Sequence, residues 1–226
     1  MSDSTAASLQ RGVIVEFDFA VLPGHRLLLD VCRTRLARDG IKLDERLMAR
    51  MMNGKSFSSA LNVLSKIVNK TIETSDVTSE CYPLFEEALK NEAPKIPAGF
   101  AAFVKALHAK GLKVVIVTRA DAETVRQALS DLSGDGLAVA HDTASGFGFY
   151  SFDAWRRAVR NHGLLERLCV AVVGSGYSAK AAIVASMGVM ARPNPLTEHQ
   201  DFGGCDAVLD GFSAAAAEDV SRILQI

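Results

Sequence analysis

Six short apolar runs punctuate the chain: GVIVEF (12–17), LKVVIVT (112–118), GLAVAH (136–141), RLCVAVVG (167–174), GVMAR (188–192) and AVL (207–209). They are rich in valine and almost unbroken by polar residues. That is the pattern of parallel strands covered on both faces, not the alternation of a half-exposed sheet. Helical periodicity fills the gaps between the later runs. In GFAAFVKALHAKG, Phe100, Phe103, Val104 and Leu107 recur at i, i+3, i+4 and i+7, one face of a helix. DAETVRQALSDL, FDAWRRAVRNHG, SAKAAIVASMG and SAAAAEDVSRILQI behave similarly. Strand–helix alternation predicts an α/β fold, a Rossmann-like parallel sheet with right-handed crossovers.

The first run breaks this rhythm. After Val21 the chain reads as helix, with no strand, until about Glu92. HRLLLDVCRTRLARDG is amphipathic and closes on Gly40, LDERLMARMMNG closes on Gly54, and SFSSALNVLSKIVN starts behind Ser56 as N-cap. TSECYPLFEEALKN is read as a helix with Pro83 in its first turn. The expected organisation is a core from 12–21 and 93–226, a helical cap subdomain inserted at 22–92, and a flexible tail at 1–11.

Composition adds mainly exclusions. The 226 residues are 49% hydrophobic with a formal net charge of −1. That gives no electrostatic reason to expect nucleic acid or an anionic membrane as partner. No apolar run approaches the ~18–20 residues needed to cross a bilayer. The polar start MSDSTAASLQRG lacks the features of a signal peptide, so a cytoplasmic location is expected. Cys32, Cys81, Cys169 and Cys205 are far apart in sequence, without CxxC or histidine at ligand spacing, and read as reduced thiols.

In an open α/β sheet, ligands bind outside the carboxyl ends of the strands. The residues there are Glu16 and Asp18, Thr118 and Arg119, His141 and Asp142, and Gly174 to Gly176. Taken with the helical segment after the first strand, the stretch IPAGFAAFVKALHAKGLKVVIVTRADAETVRQAL and the exit FGGCDAVLDGFSAAA, this layout resembles the haloacid dehalogenase (HAD) superfamily. The branch is the one with a helical cap, like phosphoglycolate phosphatase and β-phosphoglucomutase. The resemblance covers about residues 12–226, and MMNGKSFSSAL is similar to the cap's substrate-facing loop.

The resemblance implies phosphoryl transfer to an aspartate. A second acid two residues on moves the proton, a hydroxyl and a lysine hold the phosphate, and Mg2+ is held partly by acids after the fourth strand. Carried over position by position, the match is incomplete. The nucleophile's place holds Glu16, whose extra methylene moves the oxygen by about 1.5 Å. Misplacement of that order costs a positioned reaction ~10²-fold. Asp18 takes the acid/base place and Thr118 the hydroxyl's, although Thr118 reads equally well as a cap of the next helix. Phe19 crowds the pocket, and Arg119 is placed to face an anion. No lysine occurs in GFGFYSFDAWRRAV, where Phe149 or Tyr150 falls in its stead, and VVGSGYSAK carries no acid. A Mg2+ site then rests on Glu16, the backbone of Asp18 and water.

GSGYSA places bare N–H groups at a strand-to-helix turn, so Ser175 and Gly176 suit either a tight structural turn or anion binding, and Lys55 is placed to assist. Two functions follow. In the first, a HAD-like protein has lost ordinary phosphatase activity and binds a small anionic or phosphorylated molecule, or a protein partner. In the second, a divergent Mg2+-dependent phosphatase works through Glu16 and Asp18. A purely structural role, with the cleft filled by Phe19, Phe149 and Tyr150, is a third.

Overall fold

The computed structural model describes residues 10–52, 55–132, 136–141 and 151–226. Gly54, Asp142, Phe149 and Tyr150, singled out above, lie outside them, as does 1–9 of the tail.

The six apolar runs become one six-stranded sheet in the order β3-β2-β1-β4-β5-β6. The strands are β1 (Gly12–Glu16), β2 (Lys113–Thr118), β3 (Leu137–His141), β4 (Cys169–Val173), β5 (Gly188–Ala191) and β6 (Ala207–Val208). Every pairing is parallel. Valine suits this setting because its branched Cβ is stiff and packs well when both faces are covered. Val13, Ile14 and Val15 are fully buried, as are all residues of β4.

On one face lie α5 (Ala98–Ala109) and α9 (Ala216–Leu224), whose Phe100, Phe103 and Val220 pack on Val13 and Val15. On the other lie α7 (Phe152–Asn161) and α8 (Gly176–Val184), with Trp155, Val159 and Ala179 against Ile14, Val115 and Ala171. The chain moves outward from β1 through β2 to β3, then returns to the other side of β1 as β4. That reversal opens a crevice between the carboxyl ends of β1 and β4, where ligands of such sheets bind.

Four helices stand between β1 and α5: α1 (Gly24–Ala37), α2 (Glu45–Met52), α3 (Phe57–Val68) and α4 (Thr74–Glu92). Their apolar faces, with Leu28, Met51, Phe57 and Phe85, join the same hydrophobic cluster as the α5 side of the sheet. Local signals work as expected at several ends. Gly40, at φ +67°, closes α1 in a Schellman turn: Ile41 N–H donates to Leu36 O and Gly40 N–H to Ala37 O, both at 3.0 Å. Ser56 caps α3 by accepting the Ser59 N–H at 3.3 Å. Pro83 differs from expectation. It lies inside α4, not in its first turn. Its ring removes one donor, but the position is exposed, so water can satisfy the carbonyl left over one turn earlier. The remaining helix is α6 (Ala122–Ala128), capped by Asp121.

Candidate functional site

β1 runs straight into a wide helical turn, Phe17–Val21, closed by Leu22 N–H donating to Phe17 O at 2.9 Å. An i→i+5 turn of this kind is uncommon and concentrates at functional sites. Two glycines let it lie where it does. A Cβ on Gly24 would stand 2.1 Å from Asp18 O, and a Cβ on Gly174 would stand 2.2 Å from Phe19 O. The turn is therefore folded directly onto the end of β4, across the crevice. Arg192 holds it from the far side, donating through Nη1 to Ala20 O at 2.6 Å.

Glu16 and Asp18 are fully buried, and each is bonded to a different neighbour strand. Glu16 Oε2 accepts the Gly174 N–H at 2.9 Å and Oε1 accepts the Ser178 hydroxyl at 2.6 Å, tying β1 to β4 and α8. Asp18 Oδ1 accepts the Thr118 hydroxyl at 2.5 Å and Oδ2 the Arg119 N–H at 2.8 Å, tying the turn to β2. The Arg119 guanidinium is also fully buried, with Nη1 3.8 Å from Asp18 Oδ2. Thr118 does not cap the next helix, which Asp121 does; its hydroxyl donates to Asp18 and accepts the Ala120 N–H at 3.0 Å.

Burial dominates the acid chemistry. It pushes the Glu16 carboxyl up to about 7, against the opposing pull of the Gly174 and Ser178 hydrogen bonds. Asp18 is also pushed up by burial, with Arg119 and Thr118 holding it back. Each carboxylate is thus poorly solvated and already shared among protein donors.

The helix N-terminus that suits either a tight structural turn or an anion is occupied from within. Ser175 is buried and caps α8, accepting the Ser178 N–H at 3.2 Å. Gly176 N–H donates to Gln200 Oε1 at 2.8 Å. Gln200 belongs to the segment after β5, which crosses the crevice and reaches the inserted helices at three points. Asn194 meets His25 Nδ1 at 2.8 Å, His199 meets Ala49 O at 3.1 Å, and Gln200 Nε2 donates to Met52 O at 3.5 Å. The same Met52 carbonyl accepts the N–H of Lys55, which is half-buried before α3. Thr197 closes the segment onto the sheet, its hydroxyl donating to Gly174 O at 3.0 Å.

Phe19 fills the rest. Its ring lies 4.6 Å from that of His25 and stacks on Phe85 of α4 at 5.8 Å. Burial pushes His25 down to about 3, so its ring is neutral and Nδ1 accepts from the Asn194 amide. Sequence reasoning missed Ser178, Asn194, Thr197, Gln200 and His25. His25 and Ser178 begin helical runs whose periodicity says nothing of their side-chain partners, and each of the five acts through a partner remote in the chain.

A Mg2+ ion, which the sequence resemblance implies, fits these donors poorly. Oxygen ligands of Mg2+ must converge in near-octahedral array. Here the strand-end carboxylates diverge to separate donors, and Phe19 backbone stands where a side chain at position 174 would project. Among the described residues, no group of three or more Asp, Glu, His or Cys is placed to hold a metal. An opening of about 240 Å³ remains beside the site, between α4 and the ends of β2 and β3. Pro83, Glu86, Glu87, Lys90, Arg119, Asp121 and His141 line it.

No family model and no curated protein matches the chain. Solved structures do. β-Phosphoglucomutase from Clostridium difficile superposes with a TM-score of 0.70 at 13% identity, covering 96% of this chain and 100% of its own. CbbY from Rhodobacter sphaeroides, solved in complex with phosphate, gives 0.65 at 16%, covering 91% and 96%. A HAD family hydrolase from Deinococcus radiodurans R1, with bound phosphate and sodium, gives 0.58 at 20%, covering 96% and 97%. The fold is therefore of the HAD type, as the sequence resemblance implied. Identities this low establish fold and not chemistry. Among the described residues, no helix is long and apolar enough to cross a membrane.

Proposed function

We propose that this chain is a HAD-fold binding protein in which the strand-end acids tie β1 and the turn after it to the ends of β2 and β4 and to α8, and no longer transfer phosphoryl groups. One observation carries the reading: all four carboxylate oxygens of Glu16 and Asp18 accept hydrogen bonds from inside the protein. A nucleophile must present a lone pair to its substrate, and a metal ligand must present one to its ion. Here one lone pair on each oxygen holds Gly174, Ser178, Thr118 or Arg119, and full burial of both side chains keeps the other from substrate or ion. In this reading residues 22–92 form a cap over a core of 12–21 and 93–226, and the setting is cytoplasmic. The ligand is a small anionic or phosphorylated molecule, or a protein partner. Support for an anionic ligand comes from CbbY, whose structures hold phosphate and, in a mutant form, xylulose-(1,5)bisphosphate.

The second reading, a divergent Mg2+-dependent phosphatase working through Glu16 and Asp18, is favoured by structural neighbours that are a β-phosphoglucomutase and a HAD family hydrolase. A screen of phosphate-ester hydrolysis with Mg2+ separates the two. The binding reading expects turnover far below ~1 s⁻¹, the low end for ordinary enzymes. Turnover at or above that rate, abolished by Glu16→Gln, establishes the phosphatase.

A further inference from the structure

The two longest inserted helices bring together two of the four cysteines. Arg35 and Arg38 near the end of α1 reach Glu80 of α4, with Arg35 Nε at 2.9 Å and Arg38 Nη1 at 3.1 Å from the same oxygen. At the other end, Phe85 of α4 stacks on Phe19, ahead of the start of α1. The helices therefore run antiparallel. Cys32, one turn before Arg35, faces Cys81, the residue after Glu80. Both side chains are fully buried, on faces shared with Leu28, Leu29 and Leu36 in α1 and Val77 and Phe85 in α4.

The two thiols interact directly, each perturbing the other. That interaction, with burial, holds the Cys32 thiol up; it holds the Cys81 thiol down against burial, and Arg35 beside Cys81 adds to the lowering. The pair thus sets one thiol beside a guanidinium and a second thiol facing it across the contact of α1 with α4. Cys169 and Cys205 are both pushed up by burial, to about 12 and about 11.

We propose that Cys32 and Cys81 are a modification site: a peroxide oxidises them to a disulfide that staples α1 to α4. The Cys81 thiolate attacks one peroxide oxygen, the O–O bond breaks, and hydroxide leaves and is protonated to water, giving a sulfenic acid. Cys32, having lost its proton, attacks that sulfur. The S–O bond breaks, a second water leaves, and the S–S bond forms. Two thiols are oxidised, and one peroxide is reduced to two waters. Hydrogen peroxide is close to water in size, so a local parting of α1 and α4 admits it.

The test is to treat the folded protein with hydrogen peroxide, block remaining thiols by alkylation, and digest it without reduction for mass spectrometry. The expected result is a peptide linking Cys32 to Cys81, with Cys169 and Cys205 still alkylated. Because the bond closes a long loop, the melting temperature should rise by about 5 °C or more, and dithiothreitol should reverse the rise. Cys32→Ser and Cys81→Ser should each abolish the link and the rise. Recovery of Cys32 and Cys81 as free thiols while Cys205 is oxidised overturns the proposal. So does a link from either residue to any other cysteine. Both readouts come from the unaltered protein, so they stand even if a serine variant folds poorly.

Discussion

The side-chain oxygen of Gln200 accepts the Gly176 N–H at 2.8 Å, filling from within the position at the start of α8 that an anion would take. A Cβ on Gly176 would meet Asp201 O at 2.8 Å, so the close approach depends on glycine. Gln200→Ala removes the acceptor and leaves a buried N–H unpaired, which should cost about 1–3 kcal/mol. It also frees an anion-binding helix N-terminus. Inorganic phosphate should then raise the melting temperature of Gln200→Ala, while the unaltered protein responds little. Equal phosphate shifts in both proteins would show that Gln200 does not occupy the anion position.

Glu16 makes a pH-dependent contribution of definite sign. Its carboxyl titrates at about 7 in the folded protein against an ordinary 4.5. Between these values the folded state holds the proton and the unfolded state does not, so stability is full below about 4.5 and lost as pH rises through 7. The difference corresponds to about 3 kcal/mol. Glutamine keeps an acceptor for Gly174 and a donor for Ser178 without the charge. Glu16→Gln should therefore be more stable than the unaltered protein at pH 8 and lose that advantage at pH 5. Denaturant melts at the two pH values check this.

Gly174→Ala should be among the most damaging single substitutions. Its Cβ would stand 2.2 Å from Phe19 O and 2.4 Å from Phe19 C, both backbone atoms that cannot move without opening the turn. A loss of about 3 kcal/mol or more is expected. Phe19→Ala, which empties the space between His25 and Phe85, should cost about 3–5 kcal/mol. Chemical denaturation measures both.

Restoring aspartate at position 16 should not restore chemistry. Glu16→Asp draws the carboxylate back by about 1.5 Å. It then loses reach to Gly174 or Ser178, with a stability loss of about 1–3 kcal/mol. The phosphate would still meet no lysine from GFGFYSFDAWRRAV, and no carboxylate at the end of β4 would help to hold Mg2+ against it. Groups that act as a unit are strongly non-additive, so turnover should stay below ~1 s⁻¹. The smallest set from which turnover is expected joins Glu16→Asp to Ser175→Asp and Phe149→Lys. Robust Mg2+-dependent hydrolysis by Glu16→Asp alone would overturn the binding reading.

Much of the fold was legible because its signals are local. Strand runs such as KVVIVT carry their own evidence of burial, and Ser56 and Gly40 cap helices within one turn of themselves. Pro83 was misplaced for a related reason. A proline suggests a helix start, but whether a helix runs through it depends on packing before it and solvent beside it, which Val77, Cys81 and the exposed ring supply here. The pairing of Cys32 with Cys81 was invisible, since their separation in sequence says nothing about the antiparallel register of α1 and α4.

By itself the sequence determined the strands, the helices, and which chemical groups stand at the strand ends: Glu16 where an aspartate is usual, and no acid across Gly174 to Gly176. Those are matters of residue identity and short-range periodicity. The tertiary structure alone decided what the groups do. Glu16 meets Gly174 across 158 residues of chain, Asp18 meets Thr118 across 100, and Gly176 meets Gln200 across 24. Hydrogen bonds between remote residues leave no pattern in a sequence, because their geometry exists only once the sheet has brought the ends of β1, β2 and β4 side by side.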